Sequence, residues 1–103
     1  MSKLIRDMIP LIAMSDGVQL DIRSANDEEF MFYLKEKLRE ESEELIEAIE
    51  SGDKDHIREE LADVYEVLKT VSDQYRIGSL EDIARHRRSA RGAYNNRTLL
   101  DGE

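Results

Sequence analysis

The chain contains no cysteine and only two histidines in 103 residues. Disulfide bonds, thiolate zinc sites and thiol nucleophiles are therefore excluded. A carboxylate-bridged di-iron bundle requires a histidine three residues after a glutamate, and neither His56 nor His86 has that spacing. We expect both histidines to lie on the surface, so that a metal site in this protein would consist of oxygen ligands.

Proline and glycine are scarce as well, with one and five residues. The sequence has no long apolar run, so it predicts neither a membrane span nor the apolar segment of a signal peptide. A cytoplasmic location is therefore expected. Few helix breakers, together with many Glu, Leu, Ile and Arg residues, favour an all-α fold.

Basic residues are too few to balance the acids, and the net charge of -9 disfavours a nucleic-acid binder. Acids dominate between Asp27 and Glu66, whereas the C-terminal region carries an arginine cluster. This cluster comprises Arg85, Arg87, Arg88, Arg91 and Arg97. An acidic centre with a separate arginine cluster suits an anionic ligand held through a metal ion. It suits equally well an electrostatic contact between the arginines and the acidic helices, within one chain or between subunits.

A single domain is expected over residues 1–103, in three parts. Residues 1–25 form a short helix and a linker, because Pro10 interrupts the helical spacing of the first apolar residues. Residues 26–91 form the helical core, and residues 92–103 form an irregular tail. The core contains three predicted helices, at about 26–50, 54–75 and 79–91. Gly52 makes the connection between the first two so short that they should pack as an antiparallel hairpin.

Two pairs of carboxylates stand at equal distances from this turn, Glu41 and Glu44 before it and Glu60 and Asp63 after it. Each pair is spaced i, i+3, so both members project from one side of their helix. Folding at Gly52 brings the four carboxylates to one level. There they repel each other unless a cation lies among them.

Helical periodicity places Glu41 and Glu60 within the apolar stripes of their helices, at about 100° per residue. The stripe around Glu41 comprises Phe30, Leu34, Leu38, Leu45 and Ala48, and the stripe around Glu60 comprises Ile57, Val64, Val67 and Val71. A carboxylate on a packed face is costly unless it is neutralised, either by an arginine or by a metal ion. Oxygen-only ligands favour Mg²⁺, Mn²⁺ or Ca²⁺. Since Mg²⁺ usually completes its shell with substrate phosphates, the pattern predicts a phosphorylated ligand.

Residues 37–45, KLREESEEL, followed by residues 60–63, ELAD, resemble the EExxE…ExxD signature of MazG-type nucleoside triphosphate pyrophosphohydrolases. These proteins belong to the all-α pyrophosphatase superfamily, with dimeric dUTPases and phosphoribosyl-ATP pyrophosphohydrolase. Residues 3–10, KLIRDMIP, resemble the KLVRDKIP start of short MazG-like proteins of the phosphoribosyl-ATP pyrophosphohydrolase-like type. Residues 87–94, RRSARGAY, are similar to the KRxxRGGF segment of the same proteins. Tyr94 replaces the phenylalanine there, and we expect it to pack rather than to stack on a base.

The resemblance implies a MazG-like four-helix-type bundle that assembles into a homodimer or homotetramer. It implies Mg²⁺ as the cofactor, replaceable by Mn²⁺, with Glu41, Glu44, Glu60 and Asp63 as the ligands. Glu40, beside the catalytic Glu41, would orient or deprotonate the attacking water. The implied phosphate contacts are Lys37, Arg87 and Arg91. Arg6 and Asp7 would form a structural ion pair or anchor the N-terminal segment.

The expected function is therefore hydrolysis of a nucleoside triphosphate to the monophosphate and pyrophosphate. Its expected role is the removal of non-canonical nucleotides. Three alternatives stay open: a non-catalytic binding or regulatory module of the same fold, a phosphoribosyl-ATP pyrophosphohydrolase, and a store for divalent metal. No motif in the sequence identifies the base, so the nucleotide itself is not predicted. Neither a nucleic acid nor a membrane is expected as a partner.

Overall fold

The computed structural model describes residues 2–102, and over these residues the chain forms four α-helices and no β-strand. The helices are α1 (Ile9–Ser15), α2 (Asp27–Ser51), α3 (Lys54–Gln74) and α4 (Leu80–Arg91). The all-α prediction is confirmed, and the ends of α2, α3 and α4 lie within about one residue of those expected from periodicity. The chain divides into two compact units, the first ending at Val71 and the second beginning at Ser72. The organisation as a single domain stays a prediction.

A capping box fixes the first residue of α2. The Asn26 side chain accepts a hydrogen bond from the Glu29 backbone N–H at 2.8 Å, and the Glu29 carboxylate accepts one from the Asn26 N–H at 3.2 Å. Arg23 donates to both carboxylate oxygens of Glu29, at 3.0 and 2.6 Å. This bidentate bond, with the backbone bond from Asn26, lowers the pKa of Glu29 to about 2. The register of α2 is thus set at its first turn.

The turn between α2 and α3 is as short as predicted. Gly52 has φ 73°, in the left-handed region, and its N–H donates to the carbonyl oxygen of Ala48 at 3.2 Å. Asp53 then caps α3, because its Oδ1 accepts the backbone N–H of His56 at 3.3 Å. The two helices therefore form a hairpin, in which Leu34 and Ala48 of α2 are buried together with Val67 of α3.

The N-terminal segment, residues 2–8, has no regular secondary structure and leads into α1. Pro10 lies in the first turn of α1, where its missing N–H leaves no intrahelical bond unmade. The proline thus begins the helix, in agreement with the prediction that only a short helix forms here. Arg6 attaches this segment to the hairpin by donating a 2.7 Å hydrogen bond to Asp63.

The core of the hairpin is small, and many large apolar side chains of the first unit are exposed. They include Leu11, Ile12 and Met14 on α1, Phe32, Ile46 and Ile49 on α2, and Leu61 and Leu68 on α3. None of the helices between residues 2 and 102 combines the length and the apolarity needed to cross a membrane. The exposed apolar side chains of the first unit provide surface that another protein chain can cover.

Candidate metal centre

The predicted convergence of carboxylates occurs where α2 meets α3. One oxygen from each of Glu41, Glu60 and Asp63 lies within 4.8 Å of the other two, and the same limit holds for Glu40, Glu41 and Glu44. Two ligands of one hard cation, each at about 2.1 to 2.5 Å, lie up to about 4 to 5 Å apart. Both groups are therefore compact enough to share an ion, and Glu41 belongs to both.

Glu41 and Glu60 are deeply placed within this cluster. Glu60 is 8% exposed, and the side chain of Glu41 is 13% exposed. In each residue Oε2 is buried and has no hydrogen-bond partner among residues 2–102. A buried acceptor without a donor costs about 1–3 kcal/mol, and more when it is charged. No arginine of the described residues donates a hydrogen bond to these two atoms, so a proton, a water molecule or a cation is left to satisfy them.

The crowding of carboxylates changes their proton affinity. Burial is the largest effect on Glu41, followed by the charge and hydrogen bonding of Glu44 and the charges of Asp63 and Glu60, and together they raise its pKa to about 7. Burial also raises the pKa of Glu60, with Glu44 and Asp63 adding to the effect. Both pKa values rise, as expected for carboxylates that are buried beside other carboxylates.

Three basic side chains border the cluster without reaching the two buried oxygens. Lys37 Nζ lies 3.4 Å from Glu40 Oε2 and 3.9 Å from Glu41 Oε1. His56 Nε2 lies 3.7 Å from Glu60 Oε1. With the bond from Arg6 to Asp63, each of these contacts occupies one oxygen of its acid and leaves the other for a further partner.

The space beside the acids suits a small hydrated cation. A cavity of about 100 Å³ is lined by Glu41 and Asp63 together with Arg6 and Lys37, and by apolar side chains including Leu34 and Val67, whereas Glu44 and Glu60 do not line it. A water molecule needs about 10–15 Å³ of such space, so an ion can retain several waters here. The carboxylate oxygens are the donors that Mg²⁺ and Mn²⁺ prefer, and the residues therefore fit the implied cofactor.

The structure brings together six of the eight residues that the sequence nominated, namely Lys37, Glu40, Glu41, Glu44, Glu60 and Asp63. Their roles as ligands, base and phosphate contact stay predictions. Arg87 and Arg91 lie one turn apart on α4, in the second unit, and both are exposed. Their contact with phosphate likewise stays a prediction.

Sequence reasoning missed two contacts of the cluster. Arg6 pairs with Asp63, whereas the sequence suggested only an unspecified ion pair or anchor. No local pattern links residues so far apart in the chain. His56 is exposed, as expected, yet its ring approaches Glu60. The i, i+4 spacing of His56 and Glu60 on one helix is the local signal that indicates this contact.

The sequence was compared with the models of known protein families. The sequence model of one family, described as the MazG nucleotide pyrophosphohydrolase domain, matches residues 32–85. This range is more than half of the chain and contains all five carboxylates of the cluster. The segments 3–10 and 87–94 lie outside it, so their resemblance stays a prediction. No curated protein and no solved structure matches the chain. The fold, the cluster and the matched range agree, and the chain belongs to the MazG nucleotide pyrophosphohydrolase domain family.

Proposed function

We propose that this protein is a Mg²⁺-dependent nucleoside triphosphate pyrophosphohydrolase, which converts the triphosphate and water into the monophosphate and pyrophosphate. The proposal rests on one observation: Glu41 and Glu60 each bury an oxygen without a partner inside a cluster of carboxylates. A proton or a cation among two such acceptors lowers the energetic cost of burying them together. The family match makes nucleotide phosphate the ligand that we expect at that cation.

Glu41, Glu44, Glu60 and Asp63 would hold the ion. When bound, Mg²⁺ would polarise the phosphate, lower the pKa of a bound water and offset the charge of the leaving pyrophosphate. Arg6 would hold the Asp63 carboxylate in one orientation by its bond to Oδ1, which leaves Oδ2 for ligation.

The remaining residues would act on water and phosphate. Glu40 lies at the accessible edge of the cluster, where its carboxylate could accept a proton from the attacking water. Lys37 is 17% exposed and lies between Glu40 and Glu41, so its ammonium would contact the phosphate chain. Arg87 and Arg91 would bind further phosphate oxygens from the face of α4 that they share. Water is the nucleophile in this scheme, and the bound ion would activate it.

Incubating the protein and Mg²⁺ with a panel of canonical and modified nucleoside triphosphates is expected to release pyrophosphate and the matching monophosphate. Separating the products by ion-exchange chromatography distinguishes this from stepwise release of phosphate. A preference for modified bases would support a role in removing non-canonical nucleotides. If a folded, metal-bound sample releases no pyrophosphate from any substrate, the catalytic proposal fails.

The alternatives give different results in the same assay. A phosphoribosyl-ATP pyrophosphohydrolase would turn over phosphoribosyl-ATP and no ordinary triphosphate. A binding or regulatory module would bind nucleotide without turnover. A metal store would bind Mg²⁺, and adding nucleotide would not change the affinity of the protein for Mg²⁺. A cytoplasmic location, where nucleoside triphosphates occur, stays part of the proposal.

We also expect the protein to act as a homodimer or homotetramer. Leu61 and Leu68 lie two turns apart on α3 and are exposed, as are the apolar residues of α1. Such side chains form an apolar surface of the kind that a second copy of the chain can cover. Replacing Leu61 and Leu68 together with lysine should therefore dissociate the assembly, as measured by light scattering after gel filtration. Replacing the exposed Lys69 with alanine is the control, and a monomeric parent protein would contradict the expectation.

A further inference from the structure

We propose that the nucleobase of the substrate binds in a larger cavity beside the carboxylate cluster and stacks there on the ring of Phe32. This inference rests on the proposed function, because it concerns the other end of the same nucleotide. The cavity, here called the Phe32 cavity, lies between residues 2–4 and one face of α2. Its wall includes Phe32, Lys37 and Glu40.

The two cavities differ in size, and each suits a different part of a nucleotide. The cavity at Glu41 and Asp63 has about 100 Å³, which suits an ion with its waters but not a nucleoside. The Phe32 cavity has about 530 Å³, within the range of about 300–1,000 Å³ that is usual for small-molecule sites. A nucleoside attached to a phosphate at the cluster therefore requires a second space, and the Phe32 cavity provides it.

The two cavities are neighbours, because Leu4 and Lys37 belong to the walls of both. Lys37 lines both of them, with its ammonium 3.9 Å from Glu41 and 3.4 Å from Glu40. Glu40 lines the Phe32 cavity and also belongs to the carboxylate group of Glu41 and Glu44. A single ligand can therefore place its phosphates at the cluster and its base in the Phe32 cavity, with Lys37 at the junction.

Phe32 has the properties of a stacking surface. Its side chain is 53% exposed although it is large and apolar, and its ring packs against Tyr33 in a T-shaped arrangement with centroids 5.1 Å apart. This contact restrains the Phe32 ring, so less freedom is lost when a base covers it. A phenyl ring offers no hydrogen bond, and stacking on it is possible for every base. We therefore infer a site for nucleoside triphosphates with weak selectivity among aromatic bases.

Binding rather than turnover gives the sharpest test, because it does not depend on hydrolysis. Affinities are measured with Mg²⁺ for the α,β-methylene analogues of ATP, GTP, CTP and UTP, and for inorganic tripolyphosphate, which has no base. In Phe32→Leu we expect all four analogues to bind about tenfold to a hundredfold more weakly, and tripolyphosphate to bind as before. Phe32→Trp should retain or improve nucleotide binding, which separates stacking from a general loss of folding. Tyr94 is 96% exposed, against the expectation that it packs, and Tyr94→Leu is therefore the matched control at an exposed aromatic residue of the second unit.

Several results would overturn the inference. Equal affinity of the parent protein for nucleotide and tripolyphosphate would show that no base site exists. A loss of nucleotide binding in Tyr94→Leu but not in Phe32→Leu would move the stacking surface elsewhere. A change in oligomeric mass in Phe32→Leu would identify the cavity as part of a subunit interface. Tight binding of the analogues without hydrolysis of the natural triphosphates would refute the proposed activity while supporting the base site.

Discussion

Replacing Glu41 with glutamine is expected to lower the rate of pyrophosphate release about a thousandfold, which corresponds to about 4 kcal/mol of transition-state stabilisation. Glu41 belongs to both groups of closely spaced oxygens, so its loss affects an ion bound to either group. An amide oxygen is a weaker ligand than a carboxylate, so the ion binds less tightly, and without the ion the charge of the substrate is not balanced. The comparison requires kcat and KM at saturating Mg²⁺ for the parent and the variant.

The same substitution should stabilise the protein in the absence of metal, by about 1–3 kcal/mol at about pH 8. It removes a charge whose burial beside Glu44, Glu60 and Asp63 is unfavourable without a cation. Urea unfolding in the presence of a chelator measures this change. Glu47→Gln is the control, because it makes the same chemical change at an exposed position of α2 and should affect neither activity nor stability. A metal-free Glu41→Gln protein that is less stable than the parent would mean that the chain itself compensates the charge.

The metal-free protein is also expected to lose stability as the pH rises from about 4.5 to about 7. Folded Glu41 retains its proton up to about pH 7, whereas the unfolded chain releases it near its ordinary pKa of 4.5. In this window the folded state binds more protons, so the free energy of unfolding falls with rising pH, by about 3 kcal/mol in all. The raised pKa of Glu60 acts in the same direction. Glu29, with its lowered pKa, acts in the opposite direction below about pH 4.5, so stability should be greatest under mildly acidic conditions.

Saturating Mg²⁺ should reverse this pH dependence. Carboxylates bind metal only after they lose their protons, so metal affinity rises with pH, and an ion bound only by the folded state adds to stability. Unfolding curves across the window, with chelator and with Mg²⁺, should therefore slope in opposite directions. The slope in chelator should be reduced in Glu41→Gln and retained in Glu47→Gln. If the metal-free parent becomes more stable from about pH 5 to about pH 7, the cluster does not hold a proton and the interpretation is wrong.

The hairpin could be predicted because each of its determinants is local. The periodicity of apolar residues, the capping box at Asn26 and the left-handed glycine at position 52 act within a few residues of one another. Given the hairpin, helical geometry alone brings the pair Glu41 and Glu44 level with the pair Glu60 and Asp63, and one oxygen of Glu41 lies within 4.8 Å of oxygens of Glu60 and Asp63. The burial of these two acids followed from their place in the apolar stripes, and both are indeed largely buried.

Contacts of the irregular N-terminal segment could not be predicted in the same way. Residues 2–4 line the Phe32 cavity and residues 4–6 line the smaller one, yet this segment carries no periodic pattern that would show where it packs. Arg6 meets Asp63 across 57 residues of chain, a pairing that depends on tertiary structure alone. The Phe32 cavity was missed for the same reason, since residues 2–4 form one of its walls.

The equal arms of the hairpin constrain how the length of this chain can change. Glu44 and Glu60 each stand eight residues from Gly52, and Glu41 and Asp63 each stand eleven residues from it. Adding or deleting one residue in either helix would move its acids by about 1.5 Å along the axis and turn them by about 100°. The affected pair would then point away from the opposite pair. Insertions and deletions should therefore be tolerated beyond Gly92, where the residues up to 102 form no helix, but not between Glu41 and Asp63.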